Sequence, residues 1–142
     1  MTPSRDPLTI DVRTDPESRP LTMNKLLRLA ANARRRSGFV TGQQTALWRL
    51  AALRCAAGLS AVESPVTVDV VPFHKDRRWL TDAGAQMPSA KAALDGIVDA
   101  GVLPGDDPAH VAAVRIWAVR IDAWEGLRIT LIPVATALER AA

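Results

Sequence analysis

Apolar and polar residues alternate over residues 8–12 (LTIDV), 66–72 (VTVDVVP) and 127–133 (LRITLIP). A two-residue period puts one face of each segment on a core and the other on water, so each is read as a β-strand. Residues 111–121 (VAAVRIWAVRI) read as a fourth strand, although the same spacing suits a helix. Gly126 predicts a hairpin between that strand and residues 127–133. A helical period begins after Leu21. Asn24 is the N-cap, and KLLRLAANARRR presents Leu26, Leu27, Ala30, Ala31 and Ala33 as a broad apolar face. Ser37-Gly38 and Gly42 interrupt it, and a second helix spans residues 43–57 with Ala46, Leu47, Leu50, Leu53 and Ala57 as its apolar face. Two helices, or one with a break, fit equally. A third helix covers residues 89–100, opened by Pro88 or Ser89 and closed by Gly101. Residues 13–20 and 73–81 read as loops, and residues 135–142 as a weakly helical or frayed tail. This order predicts one small α/β or α+β domain across residues 1–142, with a mixed four-stranded sheet and flanking helices.

At 142 residues, 48% of them hydrophobic and 23% charged, the chain has the size and composition of a single globular domain. The net charge of +3 is modest, but its distribution is uneven. Seven basic residues (Lys25, Arg28, Arg34, Arg35, Arg36, Arg49, Arg54) and no acid lie between Asn24 and Ala57, whereas residues 82–107 lean acidic. One cysteine, Cys55, excludes an internal disulfide framework and a cysteine-based zinc cluster, and its Ala/Leu-rich surroundings predict a small core residue. No apolar run approaches a membrane span and the start has no signal-like apolar region, so no membrane association and a cytoplasmic location are expected. His74 and His110 lack partners at zinc-ligand spacing, and neither a G-x-S-x-G nor a phosphate-binding glycine motif is present. Trp48, Trp117 and Trp124 are expected to be packing residues. Trp79 follows Lys75, Arg77 and Arg78 and is the one placed to meet a base.

The richest segment is residues 82–110, DAGAQMPSAKAALDGIVDAGVLPGDDPAH. A short helix carries Lys91 in its first turn, with Asp82 just before it and Asp106-Asp107 in a Gly/Pro turn just after it. Oxygen ligands that can hold a hard cation, together with a cationic side chain, point to phosphodiester chemistry. At about 100° per residue, Lys91, Leu94, Asp95 and Val98 share one sector of the helix. Two readings stay open: an i,i+4 ion pair at the rim of a buried face, or Asp95 orienting Lys91 in a cleft. Asp99 is expected to face solvent. Asp82, Asp106 and Asp107 also have the ordinary role of turn formers.

This segment resembles the RusA family of Holliday junction resolvases, in versions typical of phages of high-GC actinobacteria. The counterparts are the strand at residues 66–72, the basic loop at residues 75–78, the Asp82 turn, the helical Lys91-Ala92-Ala93-Leu94-Asp95-Gly96, and Asp106-Asp107. Pro20, Leu21 and Asn24 are similar to the family's opening segment. The resemblance implies a dimeric, Mg²⁺-dependent endonuclease (Mn²⁺ as a substitute) that cuts four-way junctions or other branched DNA in the cytoplasm of a bacterial host. It implies Asp82 and one or both of Asp106 and Asp107 as metal ligands, these acids as catalytic residues, and Lys91 as the basic catalytic residue beside the scissile phosphate. Lys25, Arg28, Arg34, Arg35, Arg36, Lys75, Arg77 and Arg78 would track DNA, with Asp95 and Asn24 in support. Gly84 and Ala85 stand where the family usually has a second Asp and an Asn. A relative that binds branched DNA or a protein partner without cutting is the alternative.

Overall fold

A computed structural model of the chain describes residues 2–13, 36–77 and 83–141. The elements are β1 (Leu8–Arg13), α1 (Arg36–Ala56), β2 (Val66–His74), a 3₁₀ turn (Ala83–Gln86), α2 (Met87–Asp99), β3 (Val111–Ile116), β4 (Arg120–Ile121), β5 (Gly126–Pro133) and α3 (Val134–Ala141). The predicted helix over residues 24–35, with its cap Asn24, lies outside the described residues, as do Arg78, Trp79 and Asp82.

The strands form one mixed sheet in the order β1-β5-β2-β3, with β4 also paired to β2. β5 is antiparallel to both β1 and β2, while β2 is parallel to β3 and β4. A parallel pair needs a long crossover, and α2 supplies it between β2 and β3. The α+β class and mixed sheet are as expected; the described residues form three helices and five strands, one strand more than predicted. The additional strand arises because residues 111–121 break at Trp117–Val119, leaving β4 as a separate two-residue piece.

The predicted hairpin is not formed: β5 pairs with β1 and β2, and neither β3 nor β4 is its neighbour. Gly126 serves close approach instead. It sits opposite Arg13 and Phe73, and a Cβ there would overlap the Val12 carbonyl and stand 2.9 Å from the Trp124 ring.

Both α1 and α2 cover one face of the sheet. Ile10 and Val12, Val66, Val68 and Val70, and Leu127, Ile129 and Leu131 point into the core from alternate positions on β1, β2 and β5. Trp48, Ala52 and Ala56 meet them from α1, and Ala93, Leu94 and Ile97 from α2. The opposite face is a ladder of directly opposed polar pairs. Arg128 chelates Asp11 at 2.8 and 3.2 Å, Arg115 chelates Asp69 at 2.6 and 2.9 Å, and the Thr9 and Thr130 hydroxyls are 3.1 Å apart.

The α1 helix runs unbroken through Ser37, Gly38 and Gly42. Its core face differs from the expected one. Leu47 and Leu50 are exposed, while Trp48, Ala52 and Ala56 are buried. The cause is the closeness of the helix crossing, where Gly96 of α2 lies against the Arg49 carbonyl and Ala52. Ala52 supplies a side chain small enough for that contact, Trp48 fills the core beside it, and Leu47 and Leu50 turn outward. Cys55 turns outward with them and is exposed, not a core residue. Trp48 and Trp124 are buried as expected of packing residues, whereas Trp117 is exposed.

Candidate functional site

The α2 helix presents the site. Pro88 stands in its first turn, where a missing N–H costs nothing, and Gly101 just past its end adopts φ +81°. Ser89, Ala90, Ala92, Ala93, Leu94, Gly96 and Ile97 are buried, which fixes the opposite edge of the helix in solvent. Lys91, Asp95 and Asp99 follow one another along that edge at four-residue intervals.

The Lys91 ammonium donates to Asp95 Oδ1 at 2.8 Å and to the Asp106 carboxylate. The first contact is the i,i+4 pair read from helical spacing. The second crosses from the helix to the turn that precedes β3. Asp106 and then Asp95 lift the Lys91 pKa above its ordinary value, and Lys91 in turn holds Asp106 below the usual carboxylate range. Lys91 is therefore a fixed cation at neutral pH and not a proton acceptor. One turn further on, Arg49 of α1 grips Asp99 in a two-pronged contact of 2.5 and 2.9 Å, which raises the arginine's pKa and lowers the aspartate's. Asp99 faces solvent as expected, but spacing along α2 carries no sign of the Arg49 contact, which depends on how α1 crosses. The ridge carries three carboxylates (Asp95, Asp99, Asp106) and two cations (Lys91, Arg49), one net negative charge.

The structure separates the two adjacent acids. Asp107 Oδ1 accepts the Ala109 N–H at 2.9 Å and lies 3.0 Å from His110 Nδ1, while its backbone carbonyl accepts the N–H groups of His110 and Val111, each at 2.9 Å. Asp107 thus shapes the turn that launches β3, and Asp106 alone of the pair meets Lys91. Among the described residues, no group of three or more Asp, Glu, His or Cys is placed to hold a metal. Asp82, the third expected ligand, lies outside them.

A magnesium ion commonly takes one or two carboxylates and completes its shell with water and phosphate oxygens. Asp95 and Asp106 reach one ammonium nitrogen, so their oxygens already face a common cation position. That pair fits such an ion. It does not make a closed cage.

Of the expected DNA contacts, Lys75 and Arg77 are exposed just beyond the end of β2, and Arg36 opens α1. Lys25, Arg28, Arg34 and Arg35 lie outside the described residues. Gly84 is exposed and Ala85 buried in the 3₁₀ turn ahead of α2. Sequence reasoning did not single out the Phe73–Trp124 stack at a centroid separation of 4.5 Å, or Arg13 and Arg128 lying 4.9 and 5.7 Å from the Trp124 ring centre. Two lone arginines on strands more than 100 residues apart give no local pattern that would reveal it. Among the described residues, no helix is long and apolar enough to cross a membrane.

Compared with protein-family models, curated proteins and solved structures, the chain matches none.

Proposed function

We propose that the chain is a Mg²⁺-dependent, RusA-like endodeoxyribonuclease acting on four-way junctions or other branched DNA as a homodimer in a bacterial cytoplasm. The observation that carries this reading is the Lys91–Asp106 contact. A lysine on a helix and an acid from a turn 15 residues later meet in one exposed cluster with Asp95. Phosphodiester hydrolysis adds water to phosphorus and expels a sugar oxygen, and charge builds on the phosphoryl oxygens between those events. The permanently charged Lys91 is suited to neutralise that charge once a phosphate draws it from its carboxylates. Asp106, kept ionised by its surroundings, and Asp95 would hold the magnesium ion, with Asp82 as the further ligand implied by the resemblance. When bound, the ion would polarise a phosphoryl oxygen and lower the pKa of attacking water. Lys75, Arg77 and the basic stretch that includes Lys25 to Arg36 would bind the backbone.

A second reading, a relative that binds branched DNA without cutting it, is favoured by a different observation. Lys91 is neutralised by two carboxylates, Asp107 is engaged in its turn, and Ala83–Gln86 carries no acid. A synthetic four-way junction incubated with and without Mg²⁺ separates the two. Paired nicks that need Mg²⁺ and disappear in Lys91→Ala and Asp106→Asn support the nuclease. Retarded but intact junctions with Mg²⁺ or Mn²⁺ support the second reading, and no retardation at low salt removes both.

A further inference from the structure

The two edges of the sheet are built differently. β1 ends one side, and its outward side chains are Thr9, Asp11 and Arg13. β3 ends the other, and among the described residues its only neighbour is β2. Ala112, Ala113, Val114 and Arg115 are all exposed, followed by Trp117 at 49%. Natural sheets protect such edges with lysine, proline, inward charges, bulges or a covering loop; here the register shift against β2 is confined to the start of β3, and from Ala113 to Ile116 the strand is regular. VAAVRI contains no lysine or proline. Its single charge is already neutralised, because Asp69 on β2 chelates Arg115.

The unpaired groups on this edge have a definite phase. The Trp117 N–H donates to the Val70 carbonyl, and main-chain groups alternate sides along a strand. Those of Ala113 and Arg115 therefore point at β2, and those of Val114 and Ile116 point outward.

We propose that β3 pairs antiparallel with β3 of a second copy about a two-fold axis at Val114, joining two sheets into one. Opposed residues in an antiparallel pair present their main-chain groups in the same sense, so the axis falls on a residue and not between two, and at Val114 the opposed residues exchange hydrogen bonds. At Val114 it sets Ala113 against Arg115, a small side chain against a large one, within the regular stretch from Ala113 to Ile116 that follows the register shift at the start of β3. It also keeps the two Arg115 side chains apart, each beside its own Asp69. An axis centred on Arg115 would place like charges face to face. A second copy is the occupant that fits because it brings an identical edge, and one isologous contact satisfies both.

The inference rests on the dimeric state proposed above and assigns its surface; it is independent of whether DNA is cut. The test is mass by light scattering during size exclusion at tens of micromolar, for the full chain and for Val114→Lys and Val114→Pro. The Val114 N–H faces outward, so proline removes no hydrogen bond within the sheet. The wild type is expected at twice 15.3 kDa and both variants at 15.3 kDa, with unchanged circular dichroism. Hydrogen exchange on the wild type provides a measurement without substitution: the Val114 and Ile116 amides should lose protection on dilution while the Trp117 amide keeps it. A monomeric wild type overturns dimerisation itself. Folded variants that remain dimeric, or Val114 and Ile116 amides unaffected by dilution of a dimer, overturn the edge alone.

Discussion

Gly96 of α2 sits directly against the backbone carbonyl of Arg49 in α1, and a Cβ at that position would stand 2.8 Å from the Ala52 methyl as well. Neither neighbour is the movable end of a long side chain, so the helices themselves would have to part. Gly96→Ala is expected to cost about 1–3 kcal/mol, the range for overpacking a dense core. Gly84 has nothing within 4 Å of its notional Cβ, and Gly84→Ala should stay within about 0.5 kcal/mol of wild type. Urea denaturation of the two variants checks the contrast, and equal midpoints would contradict it.

Lys91 and Asp106 shift each other's titration in opposite directions, which gives their contribution to stability two limits. The folded Asp106 pKa is depressed, so its share is present above the ordinary aspartate pKa of about 3.9 and lost as pH falls through the folded value. The folded Lys91 pKa is raised, so its share is present below about 10.4 and lost as pH rises through the folded value. Half-exposed and screened by water, the pair is worth no more than about 1 kcal/mol. The difference in unfolding free energy between wild type and Lys91→Met should be level from about pH 5 to 9 and shrink in strong acid and strong base. A steady slope through neutrality would count against the assignment.

Cys55 should behave as a surface thiol. It is exposed on α1, and a disulfide reagent should modify it fully in the native protein, with no dependence on added denaturant. Cys55→Ser should leave stability within about 0.5 kcal/mol. Slow labelling that tracks global unfolding would place the thiol inside.

If Lys75 and Arg77 track a DNA backbone, each releases counterions on binding. The dependence of log affinity for a four-way junction on log salt should flatten by about one for each alanine substitution. An unchanged slope in both variants would remove them from the interface.

The parts of the fold legible in the sequence were those governed by local period. LTIDV, VTVDVVP and LRITLIP alternate because one face of each lies on the core, and each is a strand. What escaped depends on distant neighbours. Gly126 looks like a hairpin turn until Val12, more than 100 residues away, is seen to occupy the space its side chain would need. The buried face of α1 could not be chosen by hydrophobicity, since apolar residues surround the helix. At the crossing with Gly96 the decision falls to size and selects Ala52, while Trp48 is buried beside it. The same division holds at the candidate site. The Lys91–Asp95 pair follows from spacing, the approach of Asp106 to the Lys91 helix from its place in the turn just after it, and Arg49–Asp99 is purely tertiary.

The strand order has a consequence for how the chain is made. Of the described strands, β5 comes latest in the chain, yet it lies inside the sheet, between β1 and β2. A nascent chain halted before Gly126 would hold two strands with open edges where their shared partner belongs. Synthesis and closure of the core are thereby tied together: among the described strands, β1 precedes the others and pairs only with the eight-residue β5, which follows them.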